Sequence, residues 1–400
     1  MPPATAPAAS CRWTVVTLRF EICSAPFFER RRLDYRKPGC FTHSLGGALM
    51  PGISNREKFP LRKKVLETKR HRTSYLVAGP DDAPLMIFMH GHPELGIYWR
   101  KQIEHFAPHW RCVAPDMRGY GDSSQPADNS AYTVREIVGD MAELHDALGG
   151  QPAVWVGHDW GSAICWTLAT HYPQRCRAVI NMNVPYLPEG LVLPRLVELV
   201  DRDLYPLERY PVGQWDYWLF HRESFGQSSG QLEVDVEATV SAIYQTSSSE
   251  GVDKPAWLAD VRAQGGWFGP AGRAPSMPRD PSMLTLEDYD TFVQAYRKTG
   301  FKGANAWYLN DDENSRYAAE ALNGGRIALP AFFLHGAWDT VCKTIGTRLA
   351  DPMRAYCDDL SEEIISGGHF FSIENPAATN AAMEAWLVRK GLQNGQPKVS

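Results

Sequence analysis

The chain has 400 residues, 44% hydrophobic and 22% charged, with a formal net charge of −5. That is enough apolar material for a large core, as one α/β domain with an insertion or as two ordinary domains. The mild negative charge gives no reason to expect nucleic acid or an anionic membrane as partner, and no stretch approaches the ~18 apolar residues of a membrane span. Residues 1–55 start Pro/Ala-rich, turn basic through Arg30-Arg31-Arg32, and read as an irregular extension with no sustained period. The apolar patch at residues 13–18 is broken by Arg19 and Glu21, a poor core for a signal peptide. The eight cysteines show no C-x-x-C pair and no metal spacing. Buried free thiols in a reducing, cytoplasmic compartment are therefore expected, with no metal and no cofactor.

From Phe59 onward the texture changes. Residues 64–68 and 73–78 alternate like a hairpin of antiparallel strands, and residues 85–89 and 112–114 read as short buried strands. A helix follows with Val134, Ile137, Val138, Met141, Leu144 and Leu148 on one stripe, opened by the capping-box pair Thr133 and Glu136. Then come a strand at 153–156, a helix from about 160 to 172 stopped by Pro173, and a strand at 178–180. Strands at 329–334 and 363–365 and a final helix bearing Ala382, Met383, Trp386 and Leu387 complete the alternation. Such alternation implies a mostly parallel sheet flanked by helices, an α/β fold. Residues 185–325 interrupt it after the sixth strand. They mix helix-like segments (191–200, 232–244, 286–299) with a Gly/Pro-rich loop at 265–281 and many aromatics, which reads as a helical lid. The expected organisation is extension 1–55, core 56–184 and 326–400, and lid 185–325.

Four short runs carry chemistry. Gly157-His158-Asp159-Trp160-Gly161 joins the strand at 153–156 to its helix, the layout of a nucleophile elbow with Asp where Ser normally stands. A serine that displaced a leaving group at saturated carbon would be left as an ether, which hydrolysis does not readily undo. A carboxylate leaves an ester that water can cleave, so an Asp elbow points to attack on an sp³ carbon. His90-Gly91-His92-Pro93-Glu94 ends the strand at 85–89, Gly336-Ala337-Trp338-Asp339 follows the strand at 329–334, and Gly368-His369-Phe370 follows the one at 363–365. Each run alone is weak, because a lone Asp or His after a strand is more often a turn or core residue. Nucleophile, acid and His in that chain order on successive strand ends make Asp159, Asp339 and His369 the candidate triad. The main-chain N–H groups of His92 and Trp160 are the expected oxyanion donors. The run from Asp116 to Ser123 reads as a structural turn. Two text matches to a serine elbow, at 42–47 and 226–230, lack the strand–turn–helix context and read as coincidence.

With these runs the chain resembles the α/β-hydrolase-fold epoxide hydrolases, over about residues 56–392 and nearest to the single-domain soluble forms. In the lid, Trp215-Asp216-Tyr217 and the run from Phe301 to Asn310 are similar to segments that supply that family's two lid tyrosines. The resemblance implies Tyr308 and Tyr217 as hydrogen-bond donors to the epoxide oxygen. Tyr205, Tyr210 and Tyr244 also lie in the lid, so the second position stays open among them. His92 departs from the more usual aromatic residue and Ser162 from a common glycine. The implied partners are an epoxide and water, and the aromatic-rich lid suggests a hydrophobic, bulky epoxide. Two rivals use the same residues: a haloalkane or fluoroacetate dehalogenase, and a non-catalytic binder of small molecules. Lid tyrosines favour the epoxide over the halide, since a halide leaves without needing a proton. An intact triad argues against the binder.

Overall fold

In the computed structural model, which describes residues 58–393, the alternating segments after Phe59 form an antiparallel hairpin, β1 (Arg62–Glu67) and β2 (Arg72–Ala78). The apolar runs that follow become β3 (Leu85–Met89), β4 (Arg111–Pro115), β5 (Ala153–His158) and β6 (Cys176–Met182). After a long insertion come β7 (Ala331–Gly336) and β8 (Leu360–Ile365). The eight strands form one sheet in the order β1-β2-β4-β3-β5-β6-β7-β8. Pairing is antiparallel at β1/β2 and β2/β4 and parallel from β4 through β8. Every residue of β3, β5 and β7 is buried, as in central strands covered on both faces. The chain leaves β3 for β4 on one side and returns as β5 on the other. This places a switch point beside the C-terminal ends of β3 and β5, where open α/β sheets collect their sites. The extension at 1–55 and the elbow-like run at 42–47 lie outside the described residues.

Helices α1 (Arg100–Phe106), α2 (Val134–Ala147) and α3 (Trp160–His171) connect the first parallel strands. The α2 start is capped as expected, with Thr133 Oγ accepting the Glu136 N–H at 3.3 Å. Helix α3 stops at Tyr172, which Pro173 pushes to φ −134°. Between β6 and β7 lie α4 (Leu193–Glu198), α5 (Asp216–Glu223), α6 (Phe225–Glu233), α7 (Val236–Ile243), α8 (Leu286–Thr299), α9 (Lys302–Asn305) and α10 (Asp311–Ala318). The helix expected over 232–244 is instead the end of α6 and all of α7. Asp235 breaks it, adopting φ −146° and capping α7 by accepting the Ala238 N–H at 3.0 Å. The serine run at 226–230 sits inside α6, where Ser228 Oγ donates to the Phe225 carbonyl at 3.0 Å, so it is no elbow. After β7 come α11 (Asp351–Tyr356), α12 (Phe371–Glu374) and α13 (Pro376–Arg389). Trp386 of α13 stacks on Phe332 of β7 with ring centroids 5.2 Å apart, closing that face of the sheet. Among the described residues no helix is long and apolar enough to cross a membrane.

Candidate active site

The turn between β5 and α3 is tight, and the sequence pays for it with glycine. Asp159 stands at φ 51°, a left-handed conformation that costs a non-glycine residue roughly 1–3 kcal/mol. A Cβ on Gly157 would lie 2.5 Å from the Gly161 carbonyl oxygen, and one on Gly161 would run into the Met89 oxygen of β3. Only hydrogen fits at both places. The turn therefore drives the Asp159 side chain out at the end of the sheet, against the N-terminus of α3, whose dipole favours an anion there.

Loops after β7 and β8 bring the other two groups to it. His369 Nδ1 donates to Asp339 Oδ2 at 3.0 Å, and His369 Nε2 lies 3.7 Å from Asp159 Oδ2. Asp339 is itself fixed, its Oδ1 accepting the N–H groups of Val341 and Cys342 at 2.8 and 3.0 Å. Burial disfavours the His369 imidazolium, but the carboxylates of Asp339 and Asp159 outweigh it and hold its pKa well above the usual value. Burial likewise pushes the Asp159 carboxyl up. The opposing pull of His369, His158 and the His92 N–H is stronger, and the Asp159 pKa falls below its ordinary value.

Of the two expected main-chain donors, the His92 N–H reaches Asp159 Oδ1 at 2.8 Å. The Trp160 N–H, at the first position of α3, has no acceptor within its helix. Tyr217 and Tyr308 are both buried and line one cavity of about 240 Å³ with Asp159, His369 and His92. Their ring centroids are 5.7 Å apart and the rings meet edge-on. Burial, with the Asp159 charge adding to it, raises both phenol pKa values well above normal, so both keep their protons at neutral pH. The other lid tyrosines are committed elsewhere or absent from the cavity. Tyr244 donates to the Pro93 carbonyl at 2.8 Å, Tyr205 accepts the Ala256 N–H at 3.0 Å, and Tyr210 packs edge-on against Tyr205. A larger groove of about 920 Å³ elsewhere on the molecule contains none of the triad.

Tertiary contacts pin the tyrosines. The His221 ring stacks on Tyr308 at 4.5 Å and 16°, while Trp160 and Trp218 meet it edge-on at 5.3 and 4.9 Å. Trp307, next to Tyr308, donates to the Arg118 carbonyl at 3.0 Å. Arg118 in turn pairs with buried Asp140 through two bonds of 2.7 Å. The run from Asp116 to Ser123 thus serves as scaffold: Asp116 Oδ1 accepts the Gly96 N–H at 3.0 Å and so ties the loop down.

Residues 84–376 match the family model described as alpha/beta hydrolase fold. Epoxide hydrolase A of Mycobacterium tuberculosis is 29% identical over 327 residues, covering 81% of this chain and 97% of its own length. The epoxide hydrolase of Caballeronia sordidicola is 31% identical over 308 residues, covering 76% of this chain and 87% of its own length. The chain belongs to the α/β-hydrolase-fold epoxide hydrolases. Among solved structures in this family, epoxide hydrolase A from Mycobacterium thermoresistibile superposes with a TM-score of 0.67 at 30% identity, over 82% of this chain and 98% of that one.

Within this epoxide hydrolase fold, several residues near the site had no role in the sequence reading. His158, inside the elbow, hydrogen-bonds buried Glu94 through Nδ1 at 2.5 Å, and its Nε2 donates to the His369 carbonyl at 2.7 Å. Asn183 Nδ2 donates to the same carbonyl, while its Oδ1 accepts the Gly336 N–H at 3.1 Å. Together they hold the backbone of His369 from beneath. Glu94 closes the run that starts at His90 and His158 lies in the elbow, so their residue types were visible; their pairing needed the fold. Cys342 was the other omission. With Asp339 and His369 it offers ligand-type atoms within 4.8 Å of one another. Asp339 and His369 already spend those atoms on the hydrogen bonds of the triad, and burial pushes the Cys342 thiol pKa well up.

Proposed function

We propose that the chain opens an epoxide to a vicinal diol through a covalent ester on Asp159. The observation that carries this reading is the pair of buried, protonated tyrosines facing the same small cavity as Asp159 and His369. In the resting site Asp159 is ionised and His369 protonated. Asp159 Oδ2 attacks one ring carbon and the C–O bond breaks. The ring oxygen, held by Tyr308 and Tyr217, takes a proton from one of them and becomes a hydroxyl, and the proton of the His369 imidazolium restores the phenol.

Forming the ester removes the Asp159 charge. Only Asp339 then supports the imidazolium, so the His369 pKa falls and the neutral ring becomes a base. It takes a proton from water as the hydroxide adds to the Asp159 carboxyl carbon. The His92 N–H, with that of Trp160, receives the charge on Oδ1. Collapse of this intermediate expels the diol oxygen, which takes the carboxyl proton, and restores both the carboxylate and the imidazolium. Neither cofactor nor metal enters any step. Residues 185–325 act as the lid that supplies the tyrosines. The cavity, at about 240 Å³, lies below the roughly 300–1,000 Å³ common for ligand pockets and supports a compact, largely hydrophobic epoxide in place of a bulky one. The five described cysteines are all buried and unpaired, which supports a reducing, cytoplasmic setting.

Replacing the tyrosines separates this reading from dehalogenation. Removing one donor to a developing oxyanion typically costs about 10²–10³ in kcat. Because two donors share the oxygen here, Tyr308→Phe and Tyr217→Phe should each slow styrene oxide opening by about tenfold to a hundredfold, and the double variant by about 10³ or more. Halide release from chloroalkanes, measured in parallel, should be negligible in every form. Halide release that survives both substitutions would reassign the site to dehalogenation.

A further inference from the structure

The side chain of His92 lines the cavity, yet only one of its ring nitrogens is engaged. Nε2 lies 2.8 Å from Asn305 Oδ1. Asn305 is fully buried and uses its Nδ2 to donate to Ser229 Oγ at 3.0 Å. The amide is therefore oriented with its acceptor toward His92, and Nε2 carries the ring proton. Burial keeps the His92 pKa below its ordinary value, so the ring is neutral at pH 7. Nδ1 is then a bare lone pair. It has no hydrogen-bond partner among the described residues and is not sealed from the cavity.

Its position follows from covalent geometry. The backbone N–H of the same residue is 2.8 Å from Asp159 Oδ1, and Nδ1 is only four bonds from that nitrogen. An acceptor therefore sits no more than about 7 Å from Asp159 Oδ1, on the wall of the same cavity. The cavity's other polar groups near it, Asp159, His369 and the two tyrosines, are occupied by the reaction itself. A plain hydrocarbon epoxide would cover Nδ1 without satisfying it, which is unfavourable for a desolvated acceptor.

Resting on the epoxide hydrolase reading above, we infer that His92 Nδ1 is a specificity determinant for epoxides that carry a hydroxyl on the carbon next to the ring, accepting a hydrogen bond from that hydroxyl. The preferred substrate class is thus the 2,3-epoxy alcohol.

The test uses two oxides of one carbon skeleton, 3-phenylglycidol and 1-phenylpropene oxide, which differ by that hydroxyl. The native protein should favour the alcohol by about tenfold in kcat/KM, the size of one neutral hydrogen bond. His92→Phe should bring the ratio to about one, whereas His92→Asn, whose Oδ1 overlays Nδ1, should keep most of the preference. Asn305→Leu should weaken it by freeing the tautomer. Because each result is a ratio within one folded protein, a general loss of activity does not mimic it. Nitrogen-15 NMR of the histidine-labelled native protein should show His92 Nδ1 unprotonated. Turnover of both oxides at equal kcat/KM, a preference that persists in His92→Phe, or a protonated Nδ1 would each overturn the inference while leaving the epoxide reading intact. Turnover of neither oxide would overturn the reading and this inference together.

Discussion

His369→Gln protein mixed with excess styrene oxide gains the mass of one substrate molecule and keeps it. The first half-reaction survives because what it needs most is elsewhere. Asp159 is still set by its strained turn and by the His92 N–H at 2.8 Å, and both tyrosines still line the cavity. Alkylation is slower, since the proton His369 would supply must come from solvent. The second half-reaction loses its base. Gln cannot take a proton from water, and general base catalysis is worth roughly 10²–10⁴ in rate. The ester therefore accumulates, and steady-state diol formation falls by about three orders of magnitude or more. Intact-protein mass spectrometry reads the adduct directly, and peptide mapping places it at Asp159. A variant that loses turnover without gaining mass would mean that alkylation cannot proceed without His369, against this order of steps.

Asp159→Ala should be at least as severe, with turnover down by about five orders of magnitude and no adduct of any kind. No other carboxylate takes its place: Asp339 is bound up with His369 and two main-chain N–H groups, and Glu94 is buried against His158 and the Gly91 N–H. Loss of a triad nucleophile removes the covalent route altogether and leaves only what binding and oxyanion donors achieve. The variant should still fold. The strain at φ 51° follows from a backbone path that Gly157 and Gly161 permit, and Ala adds no atom beyond the Cβ that Asp already places there. Circular dichroism and a thermal midpoint check that point alongside the kinetics. Residual turnover within a hundredfold of the native rate would exclude Asp159 as the nucleophile.

The parts of the site that could be read from sequence are local or ordered along the chain. The elbow lies in consecutive residues, and its two glycines are forced by contacts with β3 and with one another. Asp339 and His369 were legible because they follow successive strands of a parallel sheet, whose ends fall on one side. The second tyrosine was not legible in this way. Tyr205, Tyr217 and Tyr244 differ in what their hydroxyls meet, and those partners, Ala256 and Pro93 among them, are distant in sequence. The break at Asp235 was missed because the apolar stripe runs on across it, while the decisive interaction is one side-chain cap. The support beneath His369 from Glu94, His158 and Asn183 joins β3, β5, β6 and β8 loops, which no single window of sequence contains. Cavity size was likewise beyond reach, since it is set by how the aromatics of the insertion pack against one another and not by their number.

The covalent route itself is tested most directly by a single turnover in ¹⁸O-water with enzyme in excess over epoxide. Water attacks the Asp159 carboxyl carbon in this account, so the heavy oxygen should appear in the Asp159 side chain, while the diol carries an oxygen drawn from the protein. Label found in the diol alone, with none in Asp159, would contradict it.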